Sequence, residues 1–408
     1  MSSEQPARFL DRSTPPHVVT LVLMAGLSAA AMNLFLPSLP SLAAHFDVEY
    51  GTIGLAVGLY LAVNAPMQIL IGPLSDRYGR RAITLIGFAV FVVATLGCIL
   101  APNVEVFLLM RMLQATAVAG IVIGRAVIRD VVSNPDDAAS MIGYVTMGMA
   151  LVPMVAPALG GVLDTYFGWQ ATFVALLIMG MAMLTLVWAD MGETFTPRPI
   201  TLAKQFSEYP ELFRSRRFWG YALISGFSSG AFFAYLGGGP KIGEEVYGLT
   251  PAMVGAFFGM PALGYMMGNF LSGRFSGRLG LGRMIFAGTY TVSAGMLLAL
   301  FTTSLNLGHP LAFFGPMVLL GLGNGLVIPN ATAGMISVRP HLAGSASGLG
   351  GAIMLGGGAT LSMIAGNLMD HGAAERPLLL LMLASSVAGI VTMLYVRHVD
   401  RKEAAATA

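Results

Sequence analysis

Arg111 and Gln114 are the polar side chains whose types and spacing best suit chemistry inside an apolar segment. Arg111 is the only charged residue of the stretch 106–124, and a spacing of three residues puts both side chains on one helix face. Together a guanidinium and an amide can hydrogen-bond a carbonyl group or organise water. If the stretch spans a membrane, its charge costs at least a few kcal/mol and indicates a function. Two alternatives stay open: Arg111 pairs only with backbone carbonyls, or it extends outward toward the Glu105 end.

A second charged group, GPLSDRYGRR at 72–81, lies between two apolar runs, 50–75 and 82–104, that contain no Lys, Arg, Asp or Glu. Glycine permits a tight turn between helices. An acid such as Asp76 at a helix N-terminus is stabilised by about 0.3–1 kcal/mol. These residues predict a short, charged connection between two apolar helices, with simple anchoring by the arginines as the alternative.

The composition explains why both groups lie among apolar runs. The 408 residues are 56% hydrophobic and only 10% charged, whereas soluble proteins carry about 25% charged residues. A run of about 18 or more apolar residues crosses a bilayer as a helix. Such runs cover 13–46, 50–75, 82–104, 106–124, 138–163, 165–189, 218–240, 246–273, 284–338, 340–369 and 377–396. The run 284–338 fits two spans separated at 304–310, so we predict an all-α membrane protein with twelve transmembrane helices.

The basic residues predict the orientation of these spans. With the N-terminus in the cytoplasm, 19 of the 22 Lys and Arg residues lie in cytoplasmic segments. Only Lys241 and Arg376 then lie outside, and Arg111 lies within a span. This bias follows the positive-inside rule, so we expect a multi-pass protein of the cytoplasmic membrane with both termini inside.

The chain also divides into two similar halves. The polar segment 191–216 separates six spans from six, which predicts one bundle at 1–190, a cytoplasmic linker, and a second bundle at 217–408. In the second half, GRFSGRLG at 273–280 repeats the glycine and arginine spacing of 72–81 at a distance of 201 residues. Internal duplication of this kind is typical of secondary transporters.

Several motifs resemble those of one transporter family. GPLSDRYGRR resembles the loop signature of the major facilitator superfamily, RMLQ (111–114) its fourth-span motif, and APALGG (156–161) the fifth-span motif of its drug antiporters, which usually has Gly before the Pro. FLPSLP (35–40), IRD (128–130) and FGWQATF (167–173) are similar to the bicyclomycin/chloramphenicol-resistance branch. The resemblance covers the whole chain. It implies two pseudo-symmetric six-helix bundles and the export of drugs.

The resemblance also implies two structural sites. In the family, the loop Asp faces the start of span eleven, here near Leu342–Ser345, and the Arg after the second Gly meets an acid at the end of span four. This cytoplasmic gate would favour one of two states, and here it comprises Gly72, Asp76, Arg77, Gly79, Arg80, Arg81 and Asp130. A bent, sealed interface between spans five and eight would comprise Pro153, Pro157, Gly160 and Gly161.

Asn33 departs from the family pattern. Members of the similar branch commonly have Asp at this position, four residues before the first Pro of FLPSLP, where it serves in proton coupling and cation binding. None of the 20 acidic residues of this chain falls near the middle of a predicted span. We therefore expect Asn33, Arg111 and Gln114 to line a substrate or coupling cavity that lacks a carboxylate. A purely structural polar contact of Asn33 is the alternative.

The preferred function is export of amphipathic small molecules by alternating access, with proton antiport as the energy source. A facilitator of a neutral or anionic metabolite is the alternative. The chain has no P-loop, no potassium-filter motif and no acid–histidine cluster for intramembrane chemistry. Cys98 is its single cysteine. We therefore expect no enzyme activity, cofactor, metal or nucleic-acid partner, and a monomer in the lipid bilayer.

The charge bias makes a testable prediction about topology. A reporter enzyme that is active only outside the cytoplasm, fused after Ala408, should be inactive, because the positive-inside rule holds the C-terminus in the cytoplasm. The same reporter fused within the predicted outer loop that contains Arg376 is the positive control. Strong activity of the C-terminal fusion would contradict the orientation.

Overall fold

The computed structural model describes residues 8–131, 152–153, 155–195, 209–306, 308–339, 342–370, 372 and 374–407. Almost all of this part is helical, because a chain in lipid has to satisfy its backbone hydrogen bonds within each segment. We number the spans α1 to α12 in chain order. The first six are α1 (Val18–Phe46), α2 (Tyr50–Tyr78), α3 (Arg80–Ile99), α4 (Val104–Ile128), α5 (described at 152–153 and 155–167) and α6 (Trp169–Asp190). The other six are α7 (Arg216–Lys241), α8 (Met260–Leu279), α9 (Leu281–Ser304), α10 (Leu311–Val338), α11 (Ala343–Asp370) and α12 (Glu375–Thr407).

Nine of the described helices are long and apolar enough to cross a membrane. The other three expected spans are α7, α8 and the partly described α5. A short helix, Pro251–Phe257, precedes α8. The predicted all-α, twelve-helix fold is therefore confirmed, and most described span boundaries lie within six residues of the predicted ones. The largest differences are at the start of α8, which begins at Met260 and not at 246, and at the end of α12, which continues to Thr407 and not to 396.

Two spans that carry predicted cavity residues are not regular helices. In α1, a 3₁₀ turn at Leu36–Ser38 follows directly after Asn33 and contains Pro37. In α4, the α-helix ends at Leu113 and a 3₁₀ segment occupies Gln114–Val118. A 3₁₀ segment within a helix often marks a hinge, and both of these lie beside the predicted cavity.

The loop signature at 72–81 forms a much shorter connection than its two glycines predict. Gly72 lies inside α2, where a Cβ atom would meet open space, so its predicted role in a turn is wrong. The turn consists of Gly79 alone, with φ of +98°. Gly280, which lies 201 residues later, makes the equivalent turn between α8 and α9 with φ of +83°. The two halves therefore share this connection as well as its sequence.

Several described helix pairs join the two bundles. The most extensive contact across them joins α2 to α11, where a Cβ on Gly54 would lie 3.5 Å from the Cα of Gly366. Smaller contacts join α7 to α1 and α2, and α5 touches the short helix before α8. Because the spans alternate in direction, both termini lie at one end of the molecule, which we call the terminal end. The contacts of Gly54 and of α5 lie toward the opposite, distal end.

The structure describes only part of the predicted linker, 191–216. Residues 196–208 of the segment 191–216 lie outside the described residues. The part that follows forms a short helix, Tyr209–Phe213.

Gly79 and Gly72 make a matched test of the turn. The Gly79→Ala variant should be destabilised by about 1–3 kcal/mol, because its backbone conformation is essentially restricted to glycine. Gly72→Ala should be neutral or slightly stabilising, because alanine is the better helix former by about 1 kcal/mol. Thermal unfolding of the purified protein in detergent measures both. Equal unfolding temperatures for the two variants would contradict the assignment of the turn to Gly79.

Candidate functional site

Arg111 begins a fully buried chain of polar side chains. Neither Arg111 nor Gln114 has any solvent exposure. The Arg111 Nη1 donates to Gln114 Oε1 at 2.6 Å, and Gln114 Nε2 donates to Thr95 Oγ1 at 2.7 Å. The Thr95 hydroxyl donates in turn to the Phe91 carbonyl of its own helix at 2.6 Å. The predicted pair is therefore present, and Thr95 extends it from α4 to α3.

Two aromatic rings enclose the Arg111 guanidinium. Its Cζ lies 4.0 Å from the ring centre of Phe35 in α1 and 4.3 Å from that of Tyr60 in α2. A cation over the face of an aromatic ring is stabilised by roughly 0.5–2 kcal/mol, more when water is excluded. Phe35 and Tyr60 were not among the predicted site residues. Phe35 lies within the first-span motif FLPSLP, which was the one sequence signal that pointed to its position.

The charge of Arg111 has no carboxylate partner among the described residues. The Nε and Nη2 atoms of Arg111 are buried and form no hydrogen bond there. An unpaired ion in a membrane interior is costly, so these two donors favour a group that arrives as an acceptor or an anion. Both alternatives for Arg111 are wrong: its side chain does not extend to the surface, and its bonded partner is an amide, not a backbone carbonyl.

Asn33 is buried in α1, and its environment is local. Its Nδ2 donates to the Ala29 carbonyl one turn earlier, at 2.8 Å. Among the described hydrogen bonds, none joins Asn33 to Arg111 or Gln114. The structure therefore brings two of the three predicted cavity residues together, and it adds Phe35, Tyr60 and Thr95 to them.

At the terminal end, Arg80 joins three helices. Its Nε donates at 3.0 Å to Oδ2 of Asp130, as the loop motif predicts; Asp130 lies in the helix Ala119–Val131, which completes α4. The Arg80 Nη1 pairs with Asp76 and donates to the Ser75 hydroxyl. The Arg80 side chain is only 6% exposed. Removing one partner of a buried ion pair strongly destabilises a protein, because the other charge stays buried and unpaired. This group therefore holds α2, α3 and α4 in a fixed arrangement.

The acid that caps α3 is one that the sequence did not reveal. Glu193 follows α6 and accepts from the backbone N–H groups of Arg80 at 2.8 Å and Arg81 at 3.2 Å. A carboxylate at this position interacts favourably with the helix dipole. Phe195 adds a ring 4.8 Å from the Arg80 guanidinium. The family resemblance places Asp76 at the start of α11, so the cap of α3 by Glu193 is an addition that the sequence did not predict.

The other predicted gate residues surround this group. Arg77 lies over the ring of its neighbour Tyr78 at 5.2 Å, and Arg81 Nη2 donates to the Trp188 carbonyl at 3.0 Å. The ion pair described for Asp76 is with Arg80, within the same loop. Its contact with the start of α11, which the family resemblance associates with another conformational state, stays a prediction.

The prolines and glycines of α5 lie against two different helices. A Cβ on Gly161 would overlap the Pro251 carbonyl, and a Cβ on Gly255 would overlap that of Pro157, so α5 and the short helix before α8 touch through their backbones. Gly160 instead faces the Leu34 carbonyl of α1. Pro153 lies one turn before Pro157 in the described part of α5.

Polar contacts close the distal end between the bundles. The Gly51 N–H of α2 donates to Asp370 Oδ1 of α11 at 2.6 Å, and Lys241 Nζ lies 5.3 Å from the Tyr50 ring. The Ala252 N–H donates to the Thr165 hydroxyl at 3.0 Å across the other helix pair. These contacts hold the two bundles together at the end where their glycines also meet.

The carboxyl group of Glu244, beside these distal contacts, has a raised pKa. Burial, followed by the neighbouring carboxylates of Glu245 and Asp164, raises the pKa of Glu244, and Lys241 opposes the shift. Glu244 lies just beyond α7, in the connection to the next helix.

The fold and the buried site define a polytopic membrane transporter, and comparisons with known proteins identify its family. The sequence model of the Major Facilitator Superfamily matches residues 21–362. An uncharacterized MFS-type transporter of Bacillus subtilis is 30% identical over 85% of this chain and 87% of its own. A chloramphenicol resistance protein of Pseudomonas aeruginosa is 29% identical, covering 82% and 80%. A bicyclomycin resistance protein homolog of Haemophilus influenzae is 28% identical, covering 89% and 92%.

A solved structure supports the fold. A bacterial homolog of the human lysosomal transporter Spinster, in an inward-facing and occupied conformation, aligns with a TM-score of 0.74 and 17% identity over 94% of this chain and 96% of that chain. The chain belongs to the major facilitator superfamily, and its relatives lie in the drug-efflux branch. The family prediction is confirmed, and the protein is a multi-pass membrane transporter.

The Arg80–Asp130 pair makes a prediction about the terminal end. In a double-mutant cycle, Arg80→Gln and Asp130→Asn should each lower stability, and together they should cost less than their sum, with a coupling of about 1–3 kcal/mol. Thermal unfolding in detergent gives the comparison. Arg77→Gln is the control, because Arg77 is exposed and should leave the unfolding temperature almost unchanged. Strict additivity would mean that the pair contributes nothing to stability.

Proposed function

We propose that the protein exports amphipathic small molecules from the cytoplasm by alternating access, and that Arg111 contributes to the substrate site. The observation that carries this proposal is the buried guanidinium with two donors that have no described partner. A substrate carbonyl, hydroxyl or carboxylate would supply the acceptor. The relatives named for resistance to chloramphenicol and bicyclomycin support drug efflux as the direction.

The two bundles, at 1–190 and 217–408, move against each other in this proposal, joined by the cytoplasmic linker 191–216. The described contacts close the distal end, which the charge bias assigns to the outside. Release of substrate would require α2 to separate from α11 and α5 from the short helix before α8. The Arg80 group at the terminal end would then hold its helices together as one unit, with Asp76 available to α11 in the other state. We expect both termini to lie in the cytoplasm and the protein to act as a monomer in the cytoplasmic membrane.

Proton antiport is the energy source that fits export against a gradient. The chain has no mid-span carboxylate in the described helices, so the coupling group would have to lie nearer a helix end. A facilitator of a neutral or anionic metabolite is the second candidate, and the same missing carboxylate favours it. A protonophore separates the two in liposomes: it should abolish uphill transport by an antiporter and leave a facilitator unaffected.

The charge of Arg111 makes a prediction about substrate class. At an effective dielectric of about 20, two like charges roughly 8 Å apart repel by about 2 kcal/mol, close to thirty-fold in binding. Cells that express the wild type should therefore export chloramphenicol, which is neutral, and carboxyfluorescein, which is anionic, far better than the cation ethidium. Export of the three compounds measured in the same cells is the test.

The Asn33→Asp variant sharpens this test. A carboxylate in α1 near the cavity should offset the Arg111 charge, improve ethidium export and make transport depend on pH, because the new group titrates. Asn33→Ser, which adds no charge, is the matched control and should leave the order of substrates unchanged. Robust ethidium export by the wild type would overturn the charge argument.

A further inference from the structure

A basic pocket opens at the terminal end, away from the Arg111 site. It lies between the start of α7 and the end of α10, and its volume of about 360 Å³ falls within the range of about 300–1,000 Å³ that is usual for small-molecule sites. The lining consists of Arg214, Ser215, Arg216, Arg217, Val338 and Arg339. The transport cycle proposed above uses none of these residues.

The charge of the pocket suits an anion. Four of its six lining residues are arginines, and none is acidic. Glu211 pairs with Arg339 Nε at 2.8 Å. Arginine is the residue best suited to phosphate, because its planar fork of N–H groups binds two oxygens at once.

The start of α7 adds to this positive potential. The helix begins at Arg216 and runs for 26 residues, with Ser215 as its N-cap, and the Ser215 hydroxyl accepts from the Phe218 N–H at 3.3 Å. The N-terminus of a long helix carries a partial positive charge and favours anions. Arginine side chains and helix dipole therefore act on the same cavity.

The neighbouring aromatic residues indicate that the pocket lies at the level of the lipid headgroups. Trp219 Nε1 donates to the Phe213 carbonyl at 2.9 Å, and the two rings are 5.7 Å apart. Phe213 is 44% exposed. Tryptophan concentrates at membrane–water interfaces, and Trp219 with the exposed Phe213 lies directly beside the arginines of the pocket.

We propose that this pocket binds the phosphate headgroup of an anionic phospholipid, which would hold the start of α7 against the end of α10. Basic pockets between transmembrane helices bind anionic headgroups in this way. The inference does not depend on the transport function, because it concerns a surface outside the substrate site.

Native mass spectrometry of the full-length protein with phosphatidylglycerol tests the proposal. Each neutralised arginine should weaken lipid binding by about five-fold, so Arg216→Gln with Arg339→Gln should weaken it about twenty-five-fold. Arg278→Gln with Arg283→Gln removes two charges from the same end outside the pocket and should change binding little. The double variant Arg216→Lys with Arg339→Lys keeps the charge but not the planar fork, so it should bind more tightly than the glutamine pair and less tightly than the wild type, which separates charge loss from misfolding.

Two outcomes would overturn the proposal. Equal losses in the pocket and control variants would mean that lipid binds through diffuse surface charge. Competition by millimolar inorganic phosphate, with phosphatidylcholine and phosphatidylglycerol binding equally, would mean that the pocket takes a free anion and not a lipid. Neither result bears on transport, which a liposome assay measures separately.

Discussion

The absence of water from the bilayer core is the constraint on which this structure depends. Each polar group inside it has to find a partner within the protein. The backbone meets this demand by forming helices. Many buried polar side chains meet it through a backbone carbonyl or through one another, as Arg111, Gln114 and Thr95 do until the chain of donors ends on the Phe91 carbonyl. Arg111 keeps two buried nitrogen atoms, Nε and Nη2, that have no acceptor among the described residues.

Close backbone contact is the second consequence of a lipid environment. Helices in a bilayer gain little from hydrophobic burial, so they associate by packing small residues closely. Gly161 against Pro251 and Gly255 against Pro157 bring α5 and the short helix before α8 into direct backbone contact. Such a contact has no room for gradual adjustment. The bundles therefore either meet fully at this end or separate, which suits a protein that alternates between two states.

Apolar run length and charge predicted the helices well, because both are properties of a single segment. Contacts between segments were predictable only where a motif carried them, as with Arg80 and Asp130. Glu193 is far from α3 in sequence, and nothing in its surroundings marks it as the cap. Phe35 and Tyr60 looked like ordinary apolar positions, since only the fold brings their rings to Arg111. Gly72 and Gly79 differ by φ alone, and spacing does not reveal that difference.

Arg80 and Arg111 differ in how their surroundings balance their charge. Both are almost completely buried. Arg80 has two carboxylates, a hydroxyl and an aromatic ring around it, so its charge is neutralised by permanent neighbours. Arg111 donates one hydrogen bond to an amide and lies against two rings, but no carboxylate among the described residues balances its charge. If Arg111 never had an acceptor or a counter-charge, the fold would be destabilised at all times. A partner that binds and leaves would remove this destabilisation once in every transport cycle.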